Sequence, residues 1–217
     1  MEIQHSEKVM KQELANSISH GFGILFGVVC IPLLIAFATK AGSAAAVVGA
    51  CVYGFSFLMV YTFSTLYHSF QQIQLKALLK KLDHISIYFL IAGTYTPFIL
   101  IYLNNAVGIT MLATLWSLTL IGIFFKAFLT GRYEKVSVAI YLMMGWILLA
   151  AGKAFFVALP LPVISLVAAG GILYTMGVYF YVKKSFTYHH AVWHFFVLAA
   201  GICHFVAVLL AVAPQRF

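Results

Sequence analysis

Seven long apolar stretches dominate this chain of 217 residues. Their ranges, in chain order, are Ser17–Thr39, Ala44–Phe70, Asp83–Leu103, Val107–Phe128, Val136–Val157, Pro162–Val182 and His190–Ala213. An α-helix needs about 20 apolar residues to cross the hydrocarbon core of a bilayer, and each stretch reaches that length. None shows the sustained polar alternation of a membrane β-barrel strand. The sequence therefore predicts an all-α integral membrane protein, a bundle of seven transmembrane helices.

The residues outside these stretches are too few for a second domain. We expect residues 1–15 to form a short cytoplasmic N-terminal segment and residues 16–217 to form one seven-helix membrane domain. Only 8% of the residues are charged and 64% are hydrophobic, whereas an ordinary soluble domain is about 25% charged. This composition excludes a soluble enzyme, and it is the opposite of what intrinsic disorder requires.

The basic residues predict the orientation, because the cytoplasmic loops of membrane proteins carry an excess of Lys and Arg. Ten of them lie in the N-terminal tail and in the loops on its side: Lys8, Lys11, Lys76, Lys80, Lys81, Lys126, Arg132, Lys135, Lys183 and Lys184. The opposite side holds only three: Lys40, Lys153 and Arg216. We therefore expect a cytoplasmic N-terminus and a C-terminus outside.

The formal net charge of +8 does not indicate a nucleic-acid partner. The basic residues are scattered between apolar stretches, so they form no continuous face for a phosphate backbone. Besides setting the orientation, the basic residues are expected to contact anionic lipid headgroups. No sequence feature indicates an oligomeric state.

Four ionisable residues lie at the ends of apolar stretches, where such groups are energetically costly and usually serve a function. They are His68 near the end of the second stretch, Asp83 at the start of the third, and His190 and His194 at the start of the seventh. In the predicted topology all four lie at one membrane depth, near the cytoplasmic surface.

The spacing of the histidines is typical of a metal site. His190 and His194 are four residues apart, so both imidazoles lie on one helix face and can bind one metal ion. With His68 they would form a three-histidine zinc site, which keeps a fourth position for water. Zinc lowers the pKa of bound water to about 7 and makes it a nucleophile. Asp83 would accept the proton or orient the water, and Ser64, one turn before His68, would support the water or an imidazole.

Each of these residues also has a structural interpretation. His190 and His194 could be interfacial histidines without a metal ion, and Asp83 could pair with Lys80 and Lys81 among the lipid headgroups. The hydroxyl of a serine in a membrane helix, such as Ser64, often bonds to a carbonyl of the preceding turn.

Of the other histidines inside apolar stretches, His20 and His204 could lie near the site by sequence or by helix. His20 lies near the inner end of the first stretch, where it could join the site or serve in packing or capping. His204 is ten residues beyond His194, about 15 Å deeper along the helix. That distance is too long for the same metal ion, so we expect His204 to be a buried hydrogen-bonding residue.

Four sequence motifs resemble the haemolysin III family, and the similarity extends over nearly the whole chain. They lie at Ala15–Gly21, Ser64–His68, Lys81–Phe98 and His190–His194. That family is the bacterial branch of the superfamily of adiponectin and progestin receptors. The resemblance implies seven helices, a cytoplasmic N-terminus, a location in the bacterial cytoplasmic (inner) membrane and a buried zinc ion near the cytoplasmic face.

By motif position, the resemblance implies zinc ligands at His68, His190 and His194, a water-binding aspartate at Asp83 and a supporting serine at Ser64. Eukaryotic relatives resemble ceramidases, which hydrolyse a lipid amide. Bacterial members are named for haemolysis, and some are linked to membrane-lipid homeostasis. The long N-terminal domain of the eukaryotic receptors is missing from this sequence, so an adiponectin-like ligand is not expected.

Three functions follow from these observations. The first is a zinc-dependent intramembrane hydrolase that cleaves an amide or ester bond of a membrane lipid. The second is a non-enzymatic lipid sensor, receptor-like, with a structural zinc ion. The third is a haemolysin-type pore, which would need polar groups across the whole bilayer, whereas those in this sequence cluster at one end.

Overall fold

The computed structural model describes residues 2–183 and 186–213, which are helical almost throughout. Their helices, in chain order, are α1 (Glu2–Lys40), α2 (Ala44–Ser69), α3 (Ile73–Tyr102), α4 (Ala106–Leu129), α5 (Glu134–Gly145), α6 (Leu148–Ala151), α7 (Lys153–Ala158), α8 (Leu161–Val182) and α9 (His189–Val212). No strand occurs within these two ranges. The predicted all-α class is therefore confirmed.

Seven helical segments of the described chain are long and apolar enough to cross a membrane. Six lie in α1, α2, α3, α4, α8 and α9, and the remaining one, Glu134–Ala151, combines α5 with α6. The predicted number of membrane spans is confirmed, and the chain is a multi-pass integral membrane protein.

Two helices begin well before the apolar stretches that they contain. α1 begins at Glu2 rather than at Ser17, and α3 begins at Ile73 rather than at Asp83. The residues before each stretch include many Gln, Lys, Leu and Ala residues, which are favourable helix formers although several are polar. Asp83 therefore lies about 15 Å along α3 instead of at its start, and the expected boundary after residue 15 falls inside α1.

The fifth apolar stretch is not the single span that the sequence predicts over Val136–Val157. α5 ends at Gly145, α6 is one turn long, and α7 begins at Lys153. Gly152, which separates the two short helices, has a φ of +54°. This left-handed conformation favours glycine and ends a helix. Hydropathy does not detect the break, because the flanking residues other than Lys153 remain apolar.

The helix α2 packs against α1, α3 and α9. At Gly93 of α3 a Cβ atom would lie 2.4 Å from Ser56 Oγ of α2, so only glycine allows the two helices to approach this closely. The Tyr61 hydroxyl of α2 donates a hydrogen bond to the Val197 carbonyl oxygen of α9, at 3.1 Å. These buried contacts position α2 against α3 and α9, and the ends of α2 and α9 carry the candidate site.

Candidate metal centre

The three histidines predicted as metal ligands come from the adjacent ends of two antiparallel helices. His68 lies in the last turn of α2, whereas His190 and His194 lie in the first two turns of α9. Because these two are four residues apart, both imidazoles project from the same face of α9. The structure thus brings together histidines that are more than 120 residues apart in sequence.

The imidazoles form a compact cluster. One ring nitrogen from each of His68, His190 and His194 lies within 4.8 Å of the other two. The Nε2 atoms of His68 and His194 are 3.2 Å apart. The ring centroid of His190 lies 5.2 Å from that of His68 and 4.6 Å from that of His194. His68 and His194 are buried, and His190 is half-buried.

These distances fit three nitrogen ligands around one divalent cation. Tetrahedral Zn–N bonds of about 2.0–2.1 Å place two ligand nitrogens about 3.3 Å apart, close to the 3.2 Å between the Nε2 atoms of His68 and His194. Imidazole suits zinc, copper, iron and nickel alike. The three histidines can therefore bind a metal ion, and the donor type does not select one metal among these four.

Asp83 and Ser64 lie beside the histidine cluster. The Asp83 carboxyl group lies next to the Ser64 hydroxyl and within electrostatic range of the His68 imidazole and the Lys80 ammonium group. No ion pair within 4.0 Å joins Asp83 to Lys80 or Lys81 in the described part of the chain. Asp83 is therefore near His68 without forming a close ion pair with either lysine.

Ser64 is fully buried, and its Oγ atom has no hydrogen-bond partner among the described residues. It does not bond to the preceding turn of α2, which was the structural alternative. A buried hydroxyl without a partner costs about 1–3 kcal/mol. Such a group fits a polar site that accommodates a further ligand.

The other histidines occupy separate positions, with one exception. His204 Nε2 lies 3.2 Å from the Val167 carbonyl oxygen, deep in the bundle. His189 Nδ1 lies 3.0 Å from the Phe180 carbonyl oxygen. The exception is His20 of α1, whose Nε2 atom contacts His194 Nδ1 with ring centroids 3.7 Å apart. His20 thus lies behind a candidate ligand, on the side away from the other two.

Sequence reasoning missed one residue at the cluster, Glu13. Hydropathy assigns it to the N-terminal segment, but the continued helix α1 brings Glu13 Oε2 to 2.7 Å from His68 Nδ1. Asn16, one turn further on, has its Nδ2 atom 3.5 Å from the same nitrogen. The sequence contains one indication of this contact. Glu13, Asn16 and His20 are spaced three and four residues apart, so they share one face of a helix.

A shallow groove lies at the opposite end of the bundle. Its volume is about 400 Å³, and its lining includes Tyr102, Asn105 and Lys153. These residues lie where α3 ends, where α4 begins and in the first turn of α7, far along α3 from Asp83. The groove is therefore separate from the candidate metal centre.

Comparison with known proteins identifies the family. The family model described as "Haemolysin-III related" matches residues 8–205, which is most of the chain. The chain belongs to the haemolysin III family. The family resemblance of the four sequence motifs is thus confirmed, and the match includes all three candidate histidine ligands.

Two bacterial members of the haemolysin III family are similar to this chain over almost their whole length. "Hemolysin-3" of Bacillus cereus is 43% identical over 205 residues, which cover 94% of each chain. "Hemolysin-3 homolog" of Bacillus subtilis (strain 168) is 44% identical over 200 residues, covering 92% of this chain and 94% of the relative. These relatives suggest a bacterial protein.

A more distant similarity reaches animals. "Monocyte to macrophage differentiation factor" of Homo sapiens is 25% identical over 205 residues, covering 91% of this chain and 83% of the human protein. The match spans most of both chains.

Proposed function

We propose that this haemolysin III family member is a zinc-dependent intramembrane hydrolase of the bacterial cytoplasmic (inner) membrane, and that it cleaves an amide or ester bond of a membrane lipid. One observation carries the proposal: three histidine nitrogens lie within 4.8 Å of one another, beside a carboxylate and an unpartnered hydroxyl. Zinc sites with three protein ligands keep an open position and are typically catalytic, whereas structural zinc sites usually have four protein ligands.

The residues of the cluster divide into ligands and proton-transfer groups. His68, His190 and His194 would hold the ion through neutral imidazole nitrogens. Bound zinc supplies a Lewis acid for the scissile carbonyl and lowers the pKa of water. The Asp83 carboxylate accepts a proton from the attacking water and passes it to the leaving amine or alcohol, as a general base and then a general acid. The Ser64 hydroxyl, which lies next to Asp83 and has no partner among the described residues, would hold the attacking water or orient an imidazole.

The surroundings of the site favour a lipid substrate. In the segment Glu134–Ala151, only 17% of the 18 most apolar consecutive residues are buried in the bundle. In α8 the corresponding fraction is 22%. Their remaining apolar side chains face the hydrocarbon of the bilayer. The histidines lie at helix ends, which we expect at the depth where the polar headgroup region begins. Amide and ester linkages of membrane lipids lie at this depth, between the headgroup and the acyl chains.

The decisive experiment measures lipid hydrolysis and bound zinc in the same preparation. The zinc-loaded protein in nanodiscs of extracted bacterial lipid, supplemented with an N-acylated sphingoid base, is assayed for released fatty acid by mass spectrometry. Asp83→Asn should lower the rate about 10²–10⁴-fold, the usual contribution of a general acid–base group, and retain the zinc. Ser165→Ala serves as the control, since Ser165 is exposed on α8 and bonds only to its own helix.

Two results would contradict the proposal in different ways. Zinc-loaded wild-type protein that releases no fatty acid from any of these lipids is not a hydrolase of this class, and the lipid sensor with structural zinc then becomes the better interpretation. An Asp83→Asn variant that hydrolyses lipid at the wild-type rate would remove Asp83 from the mechanism.

A further inference from the structure

The far side of the His68 imidazole, away from the other histidines, faces a carboxylate. His68 Nε2 is turned towards His194, whereas His68 Nδ1 lies 2.7 Å from Glu13 Oε2. An ionised carboxylate only accepts hydrogen bonds, so it fixes the imidazole proton on Nδ1. The lone pair of Nε2 is then free on the side where the three histidines converge.

Glu13 is itself held in place from a third helix. Its second carboxylate oxygen, Oε1, lies 3.1 Å from Lys76 Nζ of α3. The Lys76 ammonium group also lies 5.0 Å from the centroid of the Tyr67 ring. The Glu13 carboxylate therefore connects α1, α2 and α3, and the contact with Lys76 holds it with Oε2 towards His68. The Glu13 side chain is only 19% exposed, so solvent competes little for this contact.

α1 supports a second candidate ligand from the same face. His20 lies seven residues after Glu13, two turns further along the helix, and its Nε2 atom contacts His194 Nδ1. The two supports differ in charge, because Glu13 is anionic when ionised and an imidazole acceptor is neutral. A carboxylate partner raises the basicity of a ligating imidazole as well as fixing its tautomer.

We propose that Glu13 is a positioning residue of the metal centre, which holds His68 in the tautomer and orientation that bind a divalent cation through Nε2. The inference rests on the metal site of the proposed function, and it does not require the hydrolase reaction. It gives the first turns of α1, which hydropathy assigns to a polar tail, a role in metal affinity.

The test compares zinc affinities of full-length variants. The protein in detergent micelles is stripped with a chelator, and Zn²⁺ is titrated back against a competing chelator of known affinity. Loss of an outer-shell partner typically weakens metal binding about 10–100-fold, so Glu13→Ala should raise the Kd for zinc by that factor. Glu13→Gln keeps an acceptor oxygen without the charge and should give a smaller increase.

Ser17→Ala is the matched control. Ser17 lies one turn after Glu13 on α1 and bonds to Ser69 Oγ at 2.7 Å, an ordinary contact between α1 and α2 that does not involve a histidine. This variant should bind zinc with the wild-type Kd. Substituting Co²⁺ for zinc adds a spectroscopic readout, because the visible absorption of Co²⁺ reports ligand number and geometry; the spectrum of Ser17→Ala should match that of the wild type, and the spectrum of Glu13→Ala should differ from both.

Each outcome supports or contradicts the positioning role of Glu13. If the wild type binds one zinc ion and both Glu13 variants bind it with the wild-type Kd, the positioning role is wrong and the three-histidine site remains. If the wild type binds no stoichiometric zinc, the metal site and the role of Glu13 fail together. If Glu13→Ala does not fold, judged by its helical circular dichroism, the Kd of Glu13→Gln relative to Ser17→Ala decides.

Discussion

Two buried clusters of ionisable side chains lie near the same end of the bundle, and they differ in how their groups are satisfied. In the first, Lys126 Nζ lies 3.1 Å from Glu134 Oε2. The other oxygen, Glu134 Oε1, accepts a hydrogen bond from the Gly131 amide at 3.0 Å and lies 3.9 Å from His84 Nδ1. The opposite charges of Lys126 and Glu134 satisfy each other without a ligand, and only His84 Nδ1 has no hydrogen-bond partner in this cluster.

The histidine cluster has the opposite composition. His68, His190 and His194 are all bases, and their ring nitrogens converge within 4.8 Å. Glu13 and His20 contact the outer nitrogens of two of these rings and leave the inner nitrogens facing one another. Converging lone pairs are stabilised by a cation. Burial of polar groups therefore does not by itself indicate a ligand site. An excess of converging acceptors without a matching donor or cation does indicate one.

Removing one of the three converging histidines should have the largest effect on zinc binding. His194→Ala deletes one of three ligands, and we expect zinc affinity to fall more than about 100-fold, since even an outer-shell partner contributes about 10–100-fold. His68→Ala should behave alike, and both should lose lipid hydrolysis. Zinc content by elemental analysis after dialysis provides the measurement. His189→Ala is the control, because its ring nitrogen lies against the Phe180 carbonyl and is not among the converging nitrogens. Equal zinc content in His194→Ala and the control would refute the site.

Disrupting the first cluster, which contains Lys126 and Glu134, should lower the stability of the protein and leave its metal binding unchanged. Glu134→Gln leaves Lys126, which has no exposed side-chain surface, without its anionic partner. Breaking a buried pair costs about 3–5 kcal/mol, and we expect about 1–3 kcal/mol because the Glu134 side chain is 31% exposed. Thermal unfolding of the detergent-purified variant measures the loss. Zinc stoichiometry should stay at the wild-type value, and a loss of zinc without a loss of stability would mean that this cluster belongs to the metal centre.

The smallest effect is expected at the deepest histidine. His204→Leu removes a hydrogen bond to the Val167 carbonyl, and such interhelical bonds in membrane proteins contribute about 0.6 kcal/mol on average. Thermal unfolding should shift slightly, and zinc affinity should not change. A weaker zinc affinity in this variant would extend the metal centre far beyond the three converging rings and would contradict the comparison between clusters.

The sequence predicts much of the fold, because the length of an apolar stretch directly reports a membrane crossing. Seven spans follow from that criterion and are present. The starts of α1 and α3 do not follow from it, since polar residues such as Lys76 continue a helix beyond the apolar part. The break at Gly152 escapes it as well, because φ depends on local conformation and not on hydropathy.

The candidate site could be predicted as far as its residues share a helix face or a membrane depth. The spacing of His190 and His194 and the shared depth with His68 indicated a cluster, and the structure brings the three rings together. The contact between Glu13 and His68 could not be predicted in this way. It depends on how α1 packs against α2 at residues that hydropathy places outside the membrane domain.

The central claim is that three imidazoles bind one divalent cation, and X-ray absorption at the metal edge of the purified wild-type protein tests it most directly. A three-histidine zinc site predicts one zinc ion per chain with about three imidazole nitrogens at about 2.0–2.1 Å. Protein without a stoichiometric metal ion, or a metal ion surrounded mainly by sulfur, would contradict it.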